Sequence, residues 1–151
     1  MSPKRNFLNH YQMRQIKYIV VHCSAGNQNN TAEDIRHYHC NVKGWQVPGY
    51  HYVIEKSGKV VQLVDADKPS NGVKNRNAYC LNVCYVGGVD TSKPGMPAVD
   101  NRTPMQRVAL RELLSTLKCK YPGAQIVGHR DFPEVHKACP SFDAKKEYAD
   151  L

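Results

Sequence analysis

Seven histidines and six cysteines hold most of this chain's capacity for metal chemistry. His22 and His129 stand out by position. Each follows a short apolar run directly, Tyr18-Ile19-Val20-Val21 before one and Ile126-Val127-Gly128 before the other. Such runs read as buried strands, and in open sheets with parallel strands ligands bind in the crevice beyond the strand ends. A third candidate ligand is Cys139, in the polar segment His136-Lys137-Ala138-Cys139-Pro140, close enough behind His129 to fold back beside it. Catalytic zinc commonly takes three protein ligands from His, Cys and carboxylate and leaves one position open. Two imidazoles and one thiolate match that count. The spacing is not that of a local zinc finger, however, and on residue type alone His51 and His136 are equally eligible ligands.

The remaining histidines and cysteines have plainer readings. His10 falls in a polar N-terminal arm, and His37 and His39 fall on a predicted helix. No pair of cysteines forms Cys-x-x-Cys, and no export signal argues for a disulfide framework. Cys80, Cys84 and Cys119 lie in or beside apolar patterns and read as small buried hydrophobes.

The elements that would position these groups are legible. Tyr18–His22 is a strand. Thr31-Ala32-Glu33-Asp34 is a helix start, a hydroxyl with an acid three residues on, and Gly44 is the expected stop. Residues 49–55 and 60–64 form a hairpin around Lys56-Ser57-Gly58-Lys59. Residues 80–86 form a further strand, stopped by Gly87-Gly88, and residues 90–102 read as a loop. Thr103-Pro104-Met105-Gln106 opens a helix whose apolar face is Val108, Leu110, Leu113, Leu114 and Leu117, ended by Pro122-Gly123. Ile126-Val127 is the last strand. The expected fold is α/β: a single domain with a central mixed sheet flanked by helices.

At 151 residues, 41% hydrophobic and 23% charged, the chain suits one globular domain. Lys and Arg number 21 against 13 Asp and Glu, a formal charge of +8 that favours polyanions. The basic residues are scattered, so no nucleic-acid stripe is expected. No apolar run approaches the roughly 18 residues of a membrane span. The basic N-terminus has no apolar stretch behind it and does not read as a signal peptide, so residence in the cytoplasm until release is expected.

Six fragments occur in a telling order: Val20-Val21-His22-Cys23-Ser24-Ala25, Gly44-Trp45, Gly49-Tyr50-His51-Tyr52-Val53-Ile54, Val83-Cys84-Tyr85-Val86-Gly87-Gly88, Gly128-His129-Arg130-Asp131 and Lys137-Ala138-Cys139-Pro140-Ser141-Phe142-Asp143. Together they resemble the N-acetylmuramoyl-L-alanine amidases of the phage-lysozyme and peptidoglycan-recognition type. The resemblance implies an N-terminal arm over residues 1–16 and a zinc amidase domain over 17–151. It implies Zn²⁺ held by His22, His129 and Cys139, with Tyr50 and Lys137 as catalytic helpers and His51 and Asn77 as substrate-binding residues. It implies peptidoglycan as the partner, cut at the amide between N-acetylmuramic acid and L-alanine by a monomer acting on the bacterial cell wall. The chain departs from the phage pattern at Gly72, where a His is expected, and at Cys80 and Asn82, which replace Ser and Gly. An alternative is a recognition domain that binds peptidoglycan without cutting it. Such relatives typically lack the Cys ligand, which this chain has.

Overall fold

β-Branched and aromatic runs assemble the five strands of one sheet. They are β1 (Tyr18–Cys23), β2 (Tyr52–Ile54), β3 (Val60–Gln62), β4 (Cys80–Tyr85) and β5 (Gln125–Gly128). The spatial order is β3-β2-β4-β1-β5. β2, β4, β1 and β5 run parallel, and only β3 is antiparallel to its neighbour. The computed structural model describes residues 14–151. Most of the expected N-terminal arm, His10 included, lies outside the described residues. Arg14, assigned to that arm, is tied to the body: its guanidinium donates to the carbonyls of Ala66, Asn77, Ala78 and Cys80 at 3.1–3.2 Å.

Strand alternation sorts side chains to two faces. Ile19, Val21, Leu81, Val83 and Tyr85 point to the face covered by Leu110, Leu114 and Leu117 of α2 (Pro104–Lys120). The opposite face carries Val20 with Val127 and Phe132, and Val53 with Cys84 under Ala32 and Ile35 of α1 (Ala32–His37). His22 and Asn82 belong to this second face.

Both helices begin as the sequence indicates. Thr31 and Asp34 exchange side-chain and backbone bonds at 3.1 and 2.8 Å, and Thr103 and Gln106 do so at 3.1 and 3.0 Å. α1 continues as a wider π turn over Tyr38–Val42, and Gly44 follows at φ +76°, where a side chain would be strained. Two expectations fail on α2. Val108 is 55% exposed, because the inward stripe runs Gln106, Leu110, Leu114, Leu117 and Val108 lies round the helix from it. Cys119 is exposed near the C-terminal end, not buried. No described helix is long and apolar enough to cross a membrane.

Candidate metal centre and active site

β1 and β5 are parallel neighbours with Val21 opposite Gly128. The next residue on each strand is therefore a histidine beside a histidine. The rings of His22 and His129 sit 4.6 Å apart, centroid to centroid. β5 runs directly into a single 3₁₀ turn, His129–Asp131, which the Asp131 carboxylate closes by accepting the Gly128 amide at 2.7 Å. The chain then returns. Arg130 donates its amide to the Cys139 carbonyl at 2.8 Å, and Tyr85 donates its hydroxyl to the Pro140 carbonyl at 2.6 Å. These ties bring the Cys139 sulfur to the strand ends, where the Cys23 amide donates to it at 3.2 Å.

The outcome is one cluster of donors. The ligand atoms of His22, His129 and Cys139 all lie within 4.8 Å of one another. That group includes neither His51 nor His136. Zinc takes nitrogen at about 2.0–2.1 Å and thiolate at about 2.3 Å, so atoms at this spacing can share one ion after small side-chain adjustment.

The chemistry of the donors fits a cation. Burial, then the neighbouring His129, pushes the His22 pKa down to about 3. Burial, then the Lys137 ammonium, lowers that of His129. Both imidazoles are thus neutral near pH 7 and keep a lone pair. The hydrogen bond with Cys23, together with burial, pushes the Cys139 thiol well above its ordinary range. A buried thiol of this kind lacks positive compensation, which a bound dication would supply.

His22 is oriented from behind. Its Nε2 lies 2.8 Å from the Asn82 side-chain oxygen, while its Nδ1 faces the Cys139 sulfur at 4.0 Å. Tyr50, just before β2, brings its ring within 5.1 Å of the His22 ring, and its hydroxyl is 3.5 Å from the Cys23 carbonyl. Burial, then nearby thiols, raises the Tyr50 pKa well above that of an ordinary phenol, so it stays a donor. A cavity of about 280 Å³ opens beside it, lined by Ser24, Asn30, Asp34, Tyr38 and His39 among others. Lys137 is exposed on the ligand loop.

The other expected site residues sit differently. His51 is fully buried, with Nδ1 accepting the Asn82 amide at 2.9 Å and Nε2 meeting the Lys68 carbonyl at 2.7 Å. Without exposed surface, it sits among the supports beneath the donor cluster. Asn77 accepts the amides of Gly72 and Val73 at 3.1 and 2.7 Å, so its carbonyl shapes that turn. Glu55 caps α1 by accepting the Ala32 amide at 2.8 Å, and Glu134 pairs with Arg76 at 2.6 Å. Both carboxylates therefore have partners of their own, although the Glu134 charge still reaches His129. Sequence reasoning gave no site role to His39 or Ser70 and noted Asn82 only as a departure from the phage pattern. His39 accepts the Gly49 amide at 3.0 Å, and its ring lies 5.4 Å from that of Tyr50, a brace for that residue.

Known proteins share this chain's sequence and fold. The family described as N-acetylmuramoyl-L-alanine amidase matches residues 12–142. The endolysin of Klebsiella phage KP32 is 40% identical over 135 residues, which cover 88% of this chain and 85% of that protein. The endolysin of Escherichia phage T7 is 41% identical over 130 residues, 85% of this chain and 82% of the relative. Among solved structures, the Ph2119 endolysin from a Thermus scotoductus bacteriophage aligns with a TM-score of 0.72 at 27% identity, covering 98% of this chain and 95% of that one. Drosophila PGRP-LB aligns with a TM-score of 0.70 over 93% of this chain and 88% of that one, and at 16% identity the likeness is one of fold. With the family match spanning most of its length and two phage relatives alike over nearly all of theirs, this chain belongs to the N-acetylmuramoyl-L-alanine amidase family.

Proposed function

We propose that this protein is a zinc-dependent hydrolase that cuts the amide between N-acetylmuramic acid and L-alanine in peptidoglycan, as an endolysin does. The observation that carries the reading is the convergence of His22, His129 and Cys139 at adjoining strand ends, next to Tyr50, which lines a cavity. The family supports the bond class, and the endolysin relatives support the bacterial cell wall as the place of action. A bound zinc would supply a Lewis acid for the scissile carbonyl and for water.

The chain's own groups account for the rest. Tyr50, protonated and beside His22, donates a hydrogen bond to the reacting amide and helps move a proton towards the leaving amine. Lys137 offers an ammonium to the oxyanion of the tetrahedral intermediate. The recognition-only reading is disfavoured by Cys139, which completes the three-ligand set.

Purified cell walls provide the test. The protein should clear them and release free L-alanine amino groups, and complete chelation should stop both. Elemental analysis should find one zinc per chain, lost in Cys139→Ala and kept in Cys119→Ala. Binding to walls with no amine release would leave only a recognition domain. Amine release that survives complete metal removal would sink the metal dependence.

A further inference from the structure

We propose that Asn82 is a positioning residue that fixes which nitrogen of His22 faces the metal, and that Gly72 provides the space this requires. The proposal rests on the metal-centre reading above. It begins with an oddity of composition. Asn82 lies mid-strand in β4, fully buried, at a kind of position where Asn is depleted. A buried amide there is costly unless all its polar atoms are bonded.

Each of its polar atoms is bonded, and the chain of bonds has a direction. Ser70 donates its hydroxyl to the Gly49 carbonyl at 2.9 Å, which leaves its oxygen to accept. The Asn82 amide nitrogen donates to that oxygen at 2.8 Å. Ser70 also lies 3.1 Å from His51 Nδ1, and with its proton on either of these acceptors its oxygen takes the Asn82 nitrogen, which assigns the end facing His22 as the oxygen. An amide oxygen only accepts, so His22 Nε2, at 2.8 Å, carries the proton. His22 Nδ1 is then unprotonated, and it is the nitrogen facing the Cys139 sulfur. The Asn82 backbone is held as well, its amide donating to His51 Nδ1 at 2.9 Å and its carbonyl accepting the His51 amide at 2.9 Å. His51 thus supports the same relay from below.

Gly72 completes the arrangement. A Cβ built there would lie 2.5 Å from the Asn82 side-chain carbon, 2.6 Å from its nitrogen and 2.6 Å from the Gly49 carbonyl oxygen. The Asn82 amide fills the volume that a side chain at position 72 would need. The missing side chain at position 72 and the buried amide at position 82 therefore depend on each other in this chain. The loop carries no side chain there, and the strand carries one that reaches the imidazole.

The first test uses metal-free protein with ¹⁵N-labelled histidine. Long-range ¹H–¹⁵N spectra report which ring nitrogen of His22 is protonated. The expected result is Nε2–H in the wild type and a mixture of tautomers in Asn82→Leu. The second measurement is zinc affinity by competition with a chelator. It should fall about 10–100-fold in Asn82→Leu, the scale of losing an outer partner of a ligand histidine. Asn82→Asp keeps an acceptor for Nε2–H and should retain most of the affinity. Should the Leu variant not fold, Asn82→Ser, too short to reach the imidazole, takes its place. Nδ1–H in the wild type overturns the proposal. So does a folded variant without the acceptor that keeps both tautomer and affinity. A wild type that binds no zinc would sink the metal reading alone, because the tautomer is read without metal.

Discussion

Tyr50 and Lys137 are the two helpers proposed for the reaction, and single substitutions separate their contributions. Tyr50→Phe keeps the ring against His22 and His39 and removes only the hydroxyl. Turnover should fall roughly 10²–10⁴-fold, the range for a positioned proton-transfer group, with little change in unfolding midpoint. Full activity would return Tyr50 to the standing of a packed aromatic. Lys137 is exposed on the ligand loop, and its charge is felt at His129. An ammonium near a dication is repelled in the resting enzyme, and that repulsion is relieved only when negative charge develops on the substrate oxygen. Lys137→Met should therefore keep zinc and wall binding while kcat on a soluble muropeptide drops about 10²–10³-fold. Lost activity that tracks lost zinc in the same samples would instead make Lys137 a support for the loop. The ligand candidates were legible in the sequence because each stands at a recognisable boundary, a strand end or a polar loop. His51 and Asn82 were not. Their roles depend on contacts between β4 and segments 49–51 and 68–72, and no local pattern encodes which buried polar atoms will meet.

At the scale of elements, the strand order does most of the positioning. Sequence pattern marks β1 and β5 as strands but not as neighbours, and only their pairing turns two distant histidines into one site. The helix starts were readable because a capping box is local. The inward face of α2 was misread for a physical reason. Its stripe begins with Gln106, a polar residue that a hydrophobic pattern skips. Gln106 is fully buried and donates to the carbonyls of Ile54 and Val86 at 3.1 and 2.9 Å, pinning α2 to the ends of β2 and β4. Gln106→Met keeps the bulk and removes both these donors and the oxygen that accepts the Thr103 amide in the capping box. It should destabilise by about 1–3 kcal/mol, the scale of leaving a buried acceptor unsatisfied. Urea unfolding measures this, and activity per folded molecule should be unchanged because α2 packs on the face opposite the site. An unaltered midpoint would mean that water replaces the lost donors.

For the molecule as a whole, the most consequential charge is not the excess of +8 but one buried guanidinium. Arg102 has no exposed side-chain surface, and it forks twice, to Asp100 at 2.9 Å and to Glu147 at 2.8 Å. It also donates to the Tyr148 hydroxyl at 3.0 Å and lies 3.4 Å over the Phe142 ring. These contacts clamp the loop before α2 to the C-terminal helix α3 (Ala144–Glu147), which follows the Cys139 loop. Arg102→Met should destabilise strongly, yet by less than the roughly 3–5 kcal/mol of breaking a fully buried pair, because both carboxylates keep some contact with water. The pH dependence gives the sharper test. Burial works against ionising Asp100, but the Arg102 hydrogen bonds outweigh it and its pKa is lowered. The Arg102 hydrogen bond lowers that of Glu147 as well. Carboxyls whose folded pKa is depressed stabilise the fold above their unfolded values, near 4 for both types, and that stability is lost as pH falls towards the folded values. The wild type should thus lose more stability than Arg102→Met between about pH 5 and about pH 3. Denaturant unfolding at both pH values, on chelator-stripped protein so that metal release contributes nothing, should show the gap between the two proteins narrowing in acid. A gap that stays constant would mean that Arg102 acts through its packing on Phe142 alone.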